Sequence, residues 1–593
     1  MHHAAIWLAS LAPQLGTSTP APQAQLAPAA PLGTKPARTE LLPDHTPGQL
    51  EVKFAAGSGV RVTAGRLALP EDGPAQAEAE ALGLYFDSLG AELRRTFDLD
   101  DAWLRELEAR GEARTGRDLH DLTLFAQVLF DPSVDVGAAC DTLNAFGIVE
   151  LAYPVGGASD PSLPAALAQG ATPDFEPLQG YRKAAPDGID ADYASRFSGA
   201  SGRGTMIGDV ETGWTHDHED IAHAVQGRYV GLAPTMYPWN HGTATLGELV
   251  GQDNGFGIRG IVPNAAALMS SHQGTALNVP VALMHAVAAL QPGDVVLLEV
   301  QCYGQAPGYY PCEFVPSTYA MVETAVANGI HVYSAAGNSA GDLGAPWYRG
   351  LFDRSVRDSG AVIVGASDGS LLIPSPFSNY GARVDLQGWG RSVTTCGYGD
   401  LYWTGSDLDS YTRTFSGTSS ATPIVAGAGI ALNGAHRAAF GVDMDPRALR
   451  DVLVQTGTAQ ASGNPIGPRP DLRRALAALG VPRVELVGPL TPGSQYRLVQ
   501  HGRTGNPYFI AFAPTLRAVP LQIAPLGEFF LGAPLRRVAG GLLGAEGKAA
   551  YLGSVPNDPA LAGTTLGYFQ GWEFLGGTAT GGAFTNYEPL TVQ

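Results

Sequence analysis

The sequence predicts three folded parts in order: a small α+β unit, a large α/β domain built on a parallel sheet, and an all-β module. Three observations carry this reading. Between 180 and 480, short apolar runs at 206–210, 267–270, 295–300, 330–334 and 362–366 alternate with helical stretches such as 279–290 and 318–328. Such runs suit strands buried on both faces, and their alternation with helices marks a parallel sheet. Between 45 and 156, strand and helix patterns trade places over a much shorter span. From 481 onward, strand-like runs are separated by Gly/Pro turns.

Each element follows from local pattern. Residues 4–12 (AAIWLASLA) form a short apolar segment, and 22–24 precede a small-residue site, as in a secretory signal, although His2 and His3 replace the basic start. Residues 17–38, rich in Ala, Pro and Gln, read as a disordered tether, so 1–44 stands apart from the folded parts. Residues 49–54 alternate like a strand. Leu82, Leu84, Phe86, Leu89 and Leu93 recur at helical spacing and predict one helix over 75–97. A strand at 121–130, a helix at 136–146 and a strand at 148–155 complete the α+β unit, 45–156. A Gly/Ser/Pro/Ala linker spans 157–179, the α/β domain 180–480, and the β-rich module 481–593, with strands at 496–499, 507–512 and 565–569.

Composition narrows the function. Thirty-six basic against 56 acidic residues leave a net charge of −20, which excludes binding driven by nucleic-acid phosphates. Hydrophobic residues, 45% of the chain, suffice for real cores. No apolar run reaches the roughly 18 residues of a membrane span. Cys302 and Cys312 flank a short turn-rich loop that suits a single disulfide in an oxidising compartment, two thiols being the alternative. The state of Cys140 and Cys396 stays open, and no Cys-x-x-Cys spacing occurs.

Four stretches carry chemistry. In 415–428 (FSGTSSATPIVAGA) a Gly-Thr-Ser turn leads into a helix of small residues, and a serine there lies where the helix dipole and free N–H groups favour negative charge. In 240–247 (NHGTATLG) a histidine opens another small-residue helix. In 207–221 (IGDVETGWTHDHEDI) an apolar strand ends in acids, and in 333–338 (YSAAGN) a strand ends in Gly-Asn. Ligand sites in parallel α/β sheets lie beyond such strand ends. Alone, a serine is an ordinary N-cap and a histidine an ordinary structural residue.

Together, in the order acid, His, amide, Ser, these stretches resemble the subtilisin-like serine peptidases (subtilases) over about half the chain. Gly417-Thr418-Ser419-Ser420-Ala421-Thr422-Pro423 resembles the nucleophile motif, His241-Gly242-Thr243 the histidine motif, and Ala335-Ala336-Gly337-Asn338 the oxyanion motif. The resemblance implies Ser419 as nucleophile, His241 as general base, and Asn338 with the Ser419 N–H as oxyanion donors. It places Ala335, Ala336 and Gly337 at the substrate. It further implies a secreted, monomeric endopeptidase acting on proteins or peptides, with no required cofactor and a neutral-to-alkaline profile set by His241.

The chain departs from the family at several points. Glu211-Thr212-Gly213 stands where subtilases carry Asp-Ser/Thr-Gly, which puts Glu211 in the acid slot; Asp209, two residues earlier on the same strand face, is the alternative. Ala244 replaces a second histidine found in many subtilases. Glu299 replaces the serine of the substrate-pairing strand, where it either selects basic residues, narrows the cleft or pairs locally. Residues 251–262 resemble a family calcium loop, with Asp220 and Asn254 as ligands of a structural Ca2+; a plain Gly/Asn turn is the alternative. The 45–156 unit resembles a subtilase propeptide, expected to be strand–helix–strand–strand–helix–strand, with self-processing within 157–178. The altered acid and substrate strand also keep open a non-catalytic, subtilase-fold binding or adhesion protein.

Overall fold

The computed structural model describes residues 26–41, 44–68, 75–159, 171–225, 227–235, 239–304, 308–574 and 582–593. The expected signal segment lies outside these residues, as does 160–170 of the linker.

The large domain is a six-stranded sheet in the order Leu386–Trp389, Val362–Ser367, His331–Ala335, Val295–Leu298, Met206–Glu211, Ala266–Ser271. All neighbouring pairs are parallel. The apolar runs become strands because both faces are covered. Helices Asn278–Ala288 and Pro316–Ala327 pack on one side. The long helix Thr418–Phe440 and the helix Asn240–Val250 pack on the other. The sixth strand, Leu386–Trp389, has no counterpart among the expected runs.

The N-terminal unit is a four-stranded antiparallel sheet in the order Glu92–Arg95, Phe125–Leu129, His45–Phe54, Val149–Gly156. The single helix expected over 75–97 is corrected to a helix Gln76–Ser88 and a strand Glu92–Arg95, separated at Gly90, whose φ is +61°. An unexpected helix, Asp101–Thr115, is inserted between two strands. Asp100 caps its first N–H groups, and Gly116 at φ +67° ends it. That helix packs on Pro316–Ala327 of the large domain. The expected tether is also corrected over 26–41. Ala30 and Leu32 are buried, and Ala27 exchanges backbone hydrogen bonds with Gly116 and Asp118.

The C-terminal module is antiparallel throughout, with sheets of three, four and two strands. It is fastened to the large domain by Arg196–Glu588 at 3.1 Å and Arg203–Glu528 at 3.2 Å. Among the described residues, no helix is long and apolar enough to cross a membrane.

Candidate active site

The site forms where two helix N-termini meet the carboxyl ends of the central strands. His241 is the second residue of its helix, Asn240–Val250, and Ser419 the second of Thr418–Phe440. Both helices start with small residues because backbone must approach backbone. A Cβ on Gly242 would come within 2.6 Å of the Gly213 carbonyl and the Trp214 ring. The partial positive charge at each helix start faces the cleft.

Glu211 ends its strand fully buried, and His241 is 5% exposed. The His241 Nδ1 lies 2.8 Å and 2.9 Å from the two Glu211 carboxyl oxygens. Thr245, one helical turn after His241, donates its hydroxyl to Glu211 Oε1 at 3.1 Å. Thr245 escaped the sequence reading; its only signal is the i, i+4 spacing from His241. Asp209 shares the strand face but lies deeper, and its Oδ2 accepts from Trp214 Nε1 at 2.7 Å. The Phe415 ring stands edge-on to His241 at 5.5 Å, closing one side of the imidazole.

Ser419 is 3% exposed. The turn before it is tied to the amide strand end. Asn338 Oδ1 accepts from the Thr418 N–H at 2.9 Å and the Thr418 hydroxyl at 3.0 Å. With its oxygen so held, Asn338 presents its Nδ2 as the donor end. Gly337 donates its N–H to Thr418 Oγ1 at 3.1 Å and adopts φ +91°, a conformation suited to glycine. Ala335 and Ala336 are buried beside this turn.

Glu299 does not line an open cleft wall; it is 1% exposed. Its strand places it one step past the pair Leu298–Val210, level with Glu211. The hydroxyls of Ser419 and Thr422 and the carboxyls of Glu211 and Asp209 are its neighbours, and burial followed by those charges pushes its carboxyl well above the usual range. The strand after it, Gln301–Tyr303, carries Cys302, which is disulfide-bonded to Cys312. Ala158–Ser159 pairs antiparallel with this strand, Tyr303 N–H donates to Gly157 O at 2.9 Å, and Gly157 bridges Thr275 on the other side. The end of the N-terminal unit thus lies as a strand between two edges of the cleft.

Asp220 and Asn254 do meet, but as hydrogen-bond partners. Asp220 accepts from Asn254 Nδ2 at 3.0 Å, Ile258 N–H at 2.8 Å and Tyr411 hydroxyl at 3.0 Å. Burial pushes its carboxyl up to about 6 despite these donors. N–H hydrogens converge where a cation would sit, and Ca2+ needs six to eight oxygens, so this donor set does not fit it. Among the described residues, no cluster of three or more His, Cys, Asp or Glu is placed to hold a metal. Cys140 and Cys396 are both free and buried.

The large domain is similar to known proteins. Residues 202–467 match the model of the subtilase family. An alkaline protease of Alkalihalobacillus alcalophilus is 28% identical over 292 residues, 46% of this chain and 64% of that protein, so the match spans just under two thirds of that relative. Thermitase of Thermoactinomyces vulgaris is 29% identical over 295 residues, 49% of this chain and 95% of thermitase. Among solved structures, an epidermin leader peptide processing serine protease from Staphylococcus aureus aligns at 15% identity and TM-score 0.45, covering 72% of this chain and 97% of that one. Residues 202–467, just under half of the chain, are thus a match to the subtilase family, and the relatives similar to this part are proteases.

Proposed function

We propose that the chain is a secreted, self-processing zymogen that hydrolyses peptide bonds with a Glu211–His241–Ser419 triad. The observation that carries this is the His241 imidazole held through Nδ1 on both oxygens of a fully buried glutamate. That contact sets the tautomer, so Nε2 is the nitrogen that takes the Ser419 proton. Ser419 Oγ then attacks the scissile carbonyl. The oxyanion is received by Asn338 Nδ2 and the Ser419 N–H, and Glu211 balances the imidazolium. His241 returns the proton to the leaving amine as the C–N bond breaks. Water, deprotonated by the same His241, then cleaves the Ser419 ester and restores the hydroxyl. Glu211 stands where the resemblance to subtilases puts the triad acid, and Thr245 donates a further hydrogen bond to it.

Zymogen behaviour is supported by the strand Ala158–Ser159, which adds to the cleft edge as an extended substrate would. The chain beyond it is the segment to be cut. The Cys302–Cys312 disulfide supports an oxidising destination.

The test compares intact mass over time and casein digestion for the full chain and its Ser419→Ala variant. Wild type should shed the N-terminal unit and digest casein, while Ser419→Ala stays whole and inert. If both stay whole and inert, the triad is a shell and the chain works by binding instead.

A further inference from the structure

We infer that Glu299 is a positioning residue that works as a neutral carboxylic acid, donating a hydrogen bond to Ser419 Oγ, and that its ionisation ends activity on the alkaline side. This deepens the role of Ser419 as nucleophile and rests on it. The geometry begins with strand register. Leu298 pairs with Val210 on one side and Ser334 on the other, so Glu299 stands between the strand ends that carry Glu211 and Ala335. Residues two apart share a face, which puts Glu299, Glu211 and Asp209 together beneath the His241 and Ser419 helices.

The groups that act most strongly on Glu299 are carboxyls and hydroxyls. The Met206–Glu211 strand supplies the Asp209 and Glu211 carboxyls. The histidine helix supplies a second fully buried acid, Glu248, whose own carboxyl is pushed well up by burial and then by Glu299. The serine helix supplies the Ser419 and Thr422 hydroxyls. The His331–Ala335 strand ends level with Glu299 at Ala335. Burial and neighbouring carboxyls dominate the setting of both Glu299 and Glu248. Neither carboxyl makes a well-formed hydrogen bond in the resting geometry. A further buried negative charge beside the Glu211 and Asp209 carboxyls is costly, and the neutral acid is the stable form.

Protonation decides what Glu299 does to the nucleophile. A neutral carboxyl has one O–H to donate, and Ser419 Oγ can accept it while its own hydrogen points at His241. An ionised carboxylate only accepts. It would draw the Ser419 hydrogen away from His241 and set a negative charge beside the developing oxyanion. The proton lost goes to solvent, and no other bond changes.

The test is the pH dependence of kcat/KM on a peptide, alongside the rate of Ser419 modification by a sulfonyl fluoride, which reads the nucleophile without peptide turnover. Wild type should show an alkaline limb in both. Glu299→Gln, which donates at every pH, should lose that limb and keep neutral-pH activity within about tenfold, the worth of one hydrogen bond. Glu299→Leu should lower kcat by about tenfold with KM unchanged. Glu248→Gln should keep the limb. Infrared difference spectra of resting wild type and Glu299→Gln should show a protonated-carboxyl band that disappears in the variant. An alkaline limb retained in Glu299→Gln, or no carboxyl band lost, overturns the inference. Failure to digest casein with the band and the modification profile intact would instead overturn the peptidase reading alone.

Discussion

Asp209 and Glu211 sit two residues apart on one strand face and differ in reach. Asp209 lies deeper and its carboxyl is taken by the Trp214 indole, while Glu211 stands at the strand end with His241 in range. Asn338 is oriented in the same indirect way, its oxygen spent on Thr418 so that its nitrogen faces the cleft. Replacing Asn338 by Ala should lower kcat by about a hundred- to a thousandfold and leave KM nearly unchanged, measured on one peptide substrate. His241, Ser419 and Asn338 were legible because each sits in a run of small residues that makes sense only for close backbone packing. Thr245 was not, since a threonine inside such a helix carries no pattern of its own. Glu299 was legible only as an anomaly: its burial depends on two helices remote in sequence.

At the scale of elements, strand ends and helix starts do the positioning, and a buried hub holds the loop beside them. Asp220 gathers Asn254, Ile258 and Tyr411, three donors from two distant segments. Asp220→Ala should strip Asn254 Nδ2 and the Ile258 N–H of this acceptor, while the Tyr411 hydroxyl keeps Glu219 at 2.9 Å, at about 1–3 kcal/mol for each donor left buried, and lower the melting temperature. A chelator should leave the melting temperature of the wild type unchanged; a clear fall on chelation would restore calcium to this loop. The central strands were readable from their apolar runs. Leu386–Trp389 was not, because LQGW is short and mixes Gln and Gly into a sheet edge. The helix Asp101–Thr115 was missed because its sequence is largely charged, yet Asp100 and Gly116 mark its two ends. The helix over 75–97 ran too long because Leu93 fits the helical spacing while belonging to a strand.

Across the whole molecule, the N-terminal unit is bound to the large domain through polar groups, most of them buried. Glu51 accepts from Thr96, from the Tyr153 hydroxyl, and from Ser317 of the large domain at 2.6 Å. Asn328 donates to Leu107 O at 2.9 Å, and Arg114 pairs with Asp445 at 2.6 Å. Close by, burial pushes Glu323 from its ordinary 4.5 up to about 7, ahead of the opposing pull of Arg117, Arg447 and Arg357. The native state therefore holds this proton more tightly than the unfolded chain. Its contribution is full below about pH 4.5 and is lost as pH rises toward about 7. The melting temperature of Ser419→Ala, kept whole by the substitution, should fall across that window, and Glu323→Gln in the same background should flatten the fall. An unchanged slope would remove Glu323 from the pH response. None of this interface was legible in the sequence, because its partners lie more than 200 residues apart.

The most direct measurement is kcat/KM for Glu211→Gln beside Asp209→Asn, both scored on the same peptide against wild type. The Glu211 substitution should cost about 10⁴-fold, since an amide cannot hold the imidazole tautomer or balance its charge. The Asp209 substitution should cost no more than about tenfold, the loss of one buried hydrogen bond. The reverse order, or equal small losses, would contradict a triad built on Glu211.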